Sequence, residues 1–439
     1  LFNTPIEIEK NAPNLLAGRT NELTELIGEI LADDKLVKIV SGKTGIGKTS
    51  FLNALQFLFY TKSNFFKKIN IYKRLLPCYY RVELFDQDNG EIVLQKVIKS
   101  ISKSIKEHFA NSDSRIPQDI KEITDYWLGL KTEDLSTEHG SEFDLQILKI
   151  SHKTSLSEIY LNKSDTSYAF HTLVDLIIKS TDLEGIFLIF DNIENAETEK
   201  LIRILNEIRD EVLLRKNMYY ILITSNSDLL ATIHSRAKRV AGIINSVEIE
   251  LQPLNRFQLV NAVEERIQVF SSRRNGHFML PFTEDLLYKI FQFTNKDLRE
   301  TFKILQYITL KGFSAYQKIE GYCKGNYQID FTEGIDYLVD YAEKTCRKIE
   351  IDDKDKGLLS NMYISGKPIL KNYKGYGFPN EKAMVKYLEQ SKKEGLVEEF
   401  HDSRGTSFSF TLRFELLAVA SKISPDCRNN ALDILRNYE

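Results

Sequence analysis

Short apolar runs and amphipathic stretches alternate through the first half of the chain. Apolar runs bounded by polar turns predict buried strands, and they lie at 36–40, 76–85, 186–190 and 219–224. Apolar residues at helical spacing follow the first two runs, at 50–58 and 91–110. Strands that alternate with helices indicate an α/β domain built on a parallel sheet.

The periodicity becomes helical from about residue 255 and changes again near residue 350. Three amphipathic segments lie at 255–270, 283–294 and 297–310 and begin near the capping residues Asn255, Thr283 and Asp297. Further on, the pattern predicts a helix at 379–394, a stop at Gly395, and two strands, 396–400 and 407–412, that flank a turn. A helix followed by a hairpin in this way is typical of a winged helix.

A glycine-rich stretch between the first strand and the first helix matches GxxxxGK[ST] at every fixed position. Glycines let backbone N–H groups turn inward, and the helix N-terminus adds partial positive charge. The stretch therefore predicts a site for a nucleoside triphosphate. The residues expected to bind ATP there are Gly42, Lys43, Thr44, Gly45, Ile46, Gly47, Lys48, Thr49 and Ser50. Among them, Lys48 is expected to reach the outer phosphates and the Thr49 hydroxyl to ligate Mg²⁺.

A carboxylate for the metal is expected at the end of a neighbouring strand. Asp191 follows the apolar run 186–190, and ligands of open α/β sheets lie at the carboxyl ends of the strands. Asp191 is therefore the predicted second Mg²⁺ ligand, through water. Glu194 is the nearest carboxylate that could polarise the attacking water. The strand 219–224 ends in Ser225 and Asn226, which could orient that water or form an ordinary turn.

The composition argues against several classes of protein, among them zinc-binding and membrane-spanning proteins. The 439 residues carry 59 basic and 62 acidic side chains, so nucleic-acid affinity requires a local basic patch. The four cysteines are far apart with no CxxC spacing, which argues against a zinc site and fits a reducing cytoplasm. No apolar run is long enough for a membrane span, and the first residues do not resemble an export signal.

The order of these motifs resembles that of AAA+ ATPases, most closely the branch of origin-recognition and related replication initiators. Residues 17–23 are similar to the GRxxEL box, with Arg19 placed near the nucleotide. The glycine-rich loop corresponds to Walker A and Asp191 to the Walker B aspartate. The resemblance covers most of residues 15–310. It implies roles for four further residues: Asn226 as sensor 1, Arg299 as sensor 2, and Arg236 or Arg239 as an arginine finger supplied to a neighbouring subunit.

Two features depart from that pattern. Asn192 stands where an active AAA+ protein normally carries its catalytic glutamate, so either Glu194 takes that role or hydrolysis is slow. The interval before Asp191 is also longer than a compact core needs, and residues 111–165 within it look inserted. That segment is interpreted as a solvent-exposed decoration, with a partner-binding element as the alternative. The Asp-Asn-Ile-Glu stretch also resembles STAND-type signalling NTPases.

Lysines are concentrated around the second helix of the predicted winged helix. Residues 365–393 hold seven lysines and two glutamates, although the charges nearly cancel over 351–439. In a winged helix this second helix enters the major groove and the wing contacts phosphates. The residues predicted to contact duplex DNA are Lys382, Lys386, Lys392, Lys393 and Arg404. The alternative is a winged helix used for protein contacts.

The sequence thus predicts an α/β protein with a P-loop NTPase core and parallel sheet, a helical AAA+ lid and a C-terminal winged-helix domain. The predicted domains are 1–250, 251–348 and 349–439. We expect a cytoplasmic, slowly hydrolysing ATPase with ATP and Mg²⁺ as cofactors, acting as a homo-oligomer or a subunit of a larger complex. Its nucleotide state would control DNA binding or assembly, in replication, transposition, mobile-element or phage-defence functions. The alternative is a STAND-like switch that acts through protein partners.

Overall fold

A parallel sheet is the centre of the first of two units, Pro5–Gln252 and Pro253–Glu439, into which the chain divides. The computed structural model describes residues 16, 18–32, 37–61, 74–110, 115–130, 166–193, 196–225, 229–270, 280–319, 328–402 and 405–437. The strands of the sheet are β1 (Val37–Ser41), β2 (Leu75–Pro77), β3 (Val82–Glu83), β4 (Gly185–Asp191), β5 (Met218–Thr224) and β6 (Ile244–Glu250).

The strand order is β2-β4-β5-β1-β6, with β3 also paired to β4, and every pair is parallel. The glycine-rich loop leaves β1, and one strand, β5, separates β1 from β4. This arrangement confirms the predicted P-loop NTPase core. Apolar runs form these strands because both faces of the sheet are covered by helices.

The single strand predicted at 76–85 is in fact two short strands. The Tyr79 N–H donates to the Ser104 hydroxyl at 3.0 Å, and the Tyr80 carbonyl accepts from the Ser100 hydroxyl. Both serines belong to the helix that covers this part of the sheet. Because these backbone groups bond to serine hydroxyls instead of a neighbouring strand, the ladder is interrupted between β2 and β3.

Helices cover both faces of the sheet. They are α1 (Thr20–Ala32), α2 (Lys48–Thr61), α3 (Gly90–Ala110), α4 (Gln118–Trp127), α5 (Thr166–Ser180), α6 (Thr198–Ile208, continued by a π-helical turn at Arg209–Leu213), α7 (Leu229–Arg236) and α8 (Lys238–Ala241). Alternate residues of β4, including Ile186 and Leu188, enter the core shared with α3, α5 and α6. Phe187 points to the other face, where its ring centroid lies 5.5 Å from that of Phe59 on α2.

Part of the segment interpreted as inserted belongs to this core. Ile120 and Ile123 of α4 are buried among the residues of α3 and α5, and Trp127 packs against the same cluster. The polar stretch 131–141 lies outside the described residues.

The second unit is helical apart from one hairpin. Its elements are α9 (Arg256–Phe270), α10 (Glu284–Phe293), α11 (Leu298–Ile319), α12 (Phe331–Thr345), α13 (Asp353–Ile364), α14 (Glu381–Lys393), β7 (Val397–Asp402), β8 (Gly405–Phe410), α15 (Leu412–Val419) and α16 (Pro425–Asn437). The predicted capping residues Asn255, Thr283 and Asp297 each accept a backbone N–H three residues on, at 2.9, 3.3 and 3.0 Å.

Helix α13, a short 3-10 turn (Leu370–Asn372), helix α14 and the antiparallel pair β7-β8 follow one another in the order predicted for a winged helix. In the same unit, α12 packs on α15 and α10 packs on α16. The Lys289 ammonium on α10 donates to the Arg436 carbonyl of α16 at 2.7 Å. Among the described residues, no helix combines the length and the apolar character that crossing a membrane requires.

Candidate nucleotide-binding site

The glycine-rich loop adopts a backbone that side chains would obstruct. Gly42, Gly45 and Gly47 have φ angles of 152°, 79° and 99°, which L-residues rarely adopt. A Cβ added to Gly42 would lie 3.0 Å from the Leu251 carbonyl oxygen. These three positions therefore favour glycine for conformational reasons, and at Gly42 the approach of the β6 end adds a steric reason.

The loop runs directly into the N-terminus of α2. Helix α2 begins at Lys48, and the Phe51 N–H donates to the Gly47 carbonyl at 2.9 Å as its first backbone bond. Backbone N–H groups of a first helical turn project from the helix end, where the helix dipole adds partial positive charge. The loop and the helix N-terminus have the arrangement that the sequence analysis expects of an anion cradle.

Lys48 lies across this cradle. Its ammonium donates to the Gly42 carbonyl at 2.5 Å and to the Lys43 carbonyl at 3.2 Å. Lys43 and Thr44, at the tip of the loop, are exposed. A cation held at the loop backbone is placed to meet the oxygens of a bound phosphate chain.

Arg19 braces the loop from its buried side. Its guanidinium pairs with Glu22 at 3.1 Å and donates to the Ile46 carbonyl at 3.4 Å. Burial lowers the pKa of Arg19, and the Glu22 carboxylate opposes that effect. The position near the nucleotide that the resemblance implied is here a contact with the backbone of the loop.

Arg81, which the sequence reasoning missed, connects the loop helix to the predicted metal ligand. Its guanidinium pairs with Asp191 Oδ2 at 2.6 Å and donates to the Thr49 carbonyl at 3.1 Å and to Asn53 Oδ1 at 2.6 Å. Arg81 lies immediately before β3, more than 100 residues from Asp191 along the chain. Because no short motif includes Arg81, only the pairing of β3 with β4 reveals its position.

Asp191 and Asn192 form the end of β4. The second carboxylate oxygen of Asp191 accepts the Asn192 backbone N–H at 2.9 Å. Asn192 has a φ of 51°, in the left-handed region that asparagine tolerates better than most residues. Its side-chain amide donates to Glu83 Oε1 at 2.9 Å, and Glu83 stands opposite Asp191 in the β3-β4 register.

The residues at this edge fit a magnesium ion. Thr49 and Asp191 supply a hydroxyl and a carboxylate, the hard oxygen donors that Mg²⁺ prefers. The Arg81 guanidinium donates to the Thr49 backbone carbonyl and to the Asp191 carboxylate, so the two residues lie on either side of this one side chain. The described residues hold no group of three or more His, Cys, Asp or Glu side chains suited to a metal.

The other predicted site residues are dispersed. Arg236 and Arg239 are exposed and pair with Glu199 and Asp210 on the surface of the first unit. Arg299 is exposed in the first turn of α11, in the second unit. Three further predictions, Glu194, Asn226 and Arg404, lie outside the described residues.

Helix α14 carries the lysines predicted to contact DNA. Lys382, Lys386, Lys392 and Lys393 are all exposed. At helical spacing, Lys382, Lys386 and Lys393 share one face with Glu389. Lys392 instead donates to Glu399 of β7 at 2.6 Å, which connects the helix to the β7-β8 hairpin. The face therefore presents three lysines and one carboxylate.

Comparisons with known proteins found similar chains among solved structures. No family model and no curated protein matches the sequence. Of 45 matching chains of known structure, the Aeropyrum pernix ORC2 protein in its ADPNP–ADP complexes is 13% identical, with 98% of this chain and 97% of that chain covered, at a TM-score of 0.46. The ADP form of that protein is 14% identical, with 99% and 96% covered, at a TM-score of 0.39.

A Walker-type ATPase of Pyrococcus abyssi is 12% identical, with 95% of this chain and 99% of that chain covered, at a TM-score of 0.43. At such identities and TM-scores these similarities add no argument to the fold that the strand order and the glycine-rich loop establish.

Proposed function

We propose that this chain is an AAA+-like ATPase of the origin-recognition type that binds ATP with Mg²⁺ at residues 42–49. One observation carries the proposal. Arg81 bonds to both the Thr49 carbonyl and Asp191, which brings the loop helix and the Walker B carboxylate to one place. A chance glycine-rich turn has no reason to face a carboxylate at the end of a neighbouring strand.

The predicted residues take distinct roles in this proposal. The loop N–H groups and Lys48 bind the phosphates, while Thr49 and Asp191 hold Mg²⁺, which when bound neutralises phosphate charge. Asn226 orients the attacking water. Arg299 senses the γ-phosphate from the second unit, and Arg236 or Arg239 serves a neighbouring subunit in an oligomer or larger complex.

Slow hydrolysis is part of the proposal. The residue after Asp191 is Asn192, whose amide is no proton acceptor, and it is engaged with Glu83. A P-loop protein without a strong base at this position can hold ATP for long enough to act as a switch. The bound nucleotide would then set which surfaces are exposed, and with them DNA binding or assembly.

Contact with duplex DNA is proposed for α14 and the wing. Lys382, Lys386 and Lys393 stand on one exposed face, and Lys392 is held against β7. The sequence predicts Arg404 as a further DNA contact. A basic helix of this kind contributes mainly through phosphates, so the affinity should fall steeply with salt.

Filter binding of labelled duplex tests the proposal. We expect binding to differ several-fold between ATP and ADP, and to weaken by about tenfold or more between 50 and 200 mM salt. Lys48→Ala should bind duplex equally with ATP and ADP. Its matched control, Lys43→Ala, should keep the difference between the two nucleotides. No binding with either nucleotide would remove the DNA role, and gel filtration with and without ATP would then test assembly.

A second candidate function is a STAND-like signalling switch acting through protein partners. Two observations favour it: Asn192 in place of a glutamate, and the packing of α12 on α15 and of α10 on α16 within one unit. Under this alternative the winged helix binds protein, and gel filtration should show nucleotide-dependent association without any affinity for duplex.

A further inference from the structure

Glu83 is a carboxylate at the nucleotide edge of the sheet that the roles above leave unassigned. It ends β3, opposite Asp191, and its carboxylate accepts the Asn192 side-chain amide at 2.9 Å. The side chain is exposed. Among the described residues, only Oε1 of this carboxylate accepts a hydrogen bond, and its donor is a neutral amide.

The direction of the Glu83 side chain follows from alternation along β3. Val82 and Leu84 are buried in the core shared with α3, so Arg81 and Glu83 face the opposite side of the sheet. Arg81 there contacts Thr49 and Asn53 of α2, the helix that follows the phosphate loop. Glu83 lies two residues closer to the carboxyl edge, where a phosphate chain bound to the loop would extend.

Asp191 and Glu22, two other described carboxylates near the loop, are committed to partners. Both oxygens of Asp191 are bonded, one to Arg81 and one to the Asn192 N–H. Glu22 pairs with Arg19. The Glu83 backbone is fixed as well, because the Lys96 ammonium donates to its carbonyl at 2.9 Å. Glu83 thus combines a fixed position with an available oxygen.

We propose that Glu83 is the general base of ATP hydrolysis in this chain, and that Asn192 is the positioning residue that holds it. The inference rests on the ATPase function proposed above and names a residue of that same site. In this arrangement the carboxylate, Glu83, stands at the end of β3, and an amide, Asn192, follows the Walker B aspartate. In the AAA+ pattern the catalytic glutamate itself follows that aspartate.

The chemical step balances without any further reactant. The water oxygen forms a bond to the γ-phosphorus while the bond from that phosphorus to the β,γ-bridging oxygen breaks. The electron pair of the broken bond leaves with ADP. Glu83 accepts the proton released by the water and later returns it to phosphate or solvent, so the products are ADP and inorganic phosphate.

Steady-state turnover measured beside nucleotide binding tests this assignment. Glu83→Gln keeps the size and the hydrogen bonding of the side chain but cannot take a proton. We expect kcat to fall by about 100-fold or more, since a general base contributes 10²–10⁴-fold. The Kd for a fluorescent ATP analogue should stay within about threefold of wild type, because Glu83 is not a phosphate ligand. Glu91→Gln, an exposed change on α3, is the matched control and should leave kcat unchanged.

Two further variants sharpen the result. Glu194→Gln tests the base expected from sequence and should leave most of the turnover. Asn192→Gly removes the amide while tolerating the positive φ, and should lower kcat by about tenfold with KM unchanged.

The possible outcomes distinguish the assignment of Glu83 from the proposed ATPase function. If Glu83→Gln turns over ATP at the wild-type rate, or loses binding together with turnover, the assignment of Glu83 is overturned while the ATPase function stands. If wild type binds ATP without turnover, hydrolysis itself is removed from the proposed function, and Glu83 with it. If wild type binds no ATP, the whole function fails.

Discussion

Two carboxylates, one in each unit, have different surroundings. Asp191 at the end of β4 faces the Arg81 guanidinium and the Asn192 N–H. Glu415 on α15 accepts a hydrogen bond from the Tyr363 hydroxyl, and burial raises the pKa of Glu415 to about 7. A carboxylate that faces a cation can exchange that cation for a metal. Burial in apolar surroundings favours the protonated form of a carboxylate, and the single hydroxyl donor offsets this only in part.

The basic side chains of the two units differ in a similar way. Arg81 contacts three partners, from the loop helix and β4, and only the fold brings those partners together. Lys382, Lys386 and Lys393 stand exposed on one helical face. The contacts of Arg81 therefore define a site with fixed geometry. The lysines of α14 define only a basic surface.

The largest expected effect on folding stability concerns Glu415. Its folded pKa is raised above the ordinary value of 4.5, so its contribution to stability is complete below about pH 4.5 and is lost as the pH rises towards about 7. Glu415→Gln should remove this dependence and, at pH 8, stabilise the protein by about 2 kcal/mol. Urea unfolding followed by circular dichroism at pH 5 and pH 8 measures it. An unchanged pH dependence in the variant would show that Glu415 is ionised in the folded protein.

A smaller effect is expected at Arg81. A metal that approaches Asp191 must displace the guanidinium, so Arg81→Gln should lower the Mg²⁺ concentration needed for half-maximal nucleotide binding by about fivefold, or roughly 1 kcal/mol. Titration of Mg²⁺ with a fluorescent nucleotide checks this. Arg74→Gln, which removes an exposed pair with Asp182, is the control and should change nothing. A higher Mg²⁺ requirement in Arg81→Gln would mean that Arg81 supports the metal instead of competing with it.

The smallest effect is expected at α14. Lys386→Ala should reduce the slope of log affinity for duplex against log salt by about one and weaken binding a few-fold. Lys348→Ala, an exposed change outside α14, is the control. Equal slopes in wild type and both variants would place the DNA contact elsewhere.

The sequence predicts those parts of the site that are contiguous in the chain, and it does not predict those that strand pairing brings together. The loop of residues 42–49 and the strand before Asp191 are contiguous motifs, so periodicity and spacing were enough to predict them. The helix caps and the hairpin of the second unit follow from local signals in the same way. Arg81 and Glu83 belong to no motif, and their importance depends on the pairing of β3 with β4, which periodicity does not reveal.

For the same reason, the local pattern predicts one strand at 76–85 where the structure has two. Its apolar residues are continuous, but the hydroxyls of Ser100 and Ser104 capture the backbone at Tyr79 and Tyr80. Which helix face would approach that backbone is a property of the tertiary packing.

Calorimetric titration of ATP with Mg²⁺ into wild type, Lys48→Ala and Lys43→Ala tests the central claim most directly. The Lys48 ammonium lies across the loop with two backbone contacts, whereas the Lys43 side chain is exposed at its tip, so only the backbone of Lys43 is expected to contribute to the site. We predict one site per chain in wild type, a loss of affinity of about 100-fold or more in Lys48→Ala, and a Kd within about threefold of wild type in Lys43→Ala. Equal affinity in all three proteins, or no binding by wild type, would contradict the assignment of residues 42–49 as a nucleotide site.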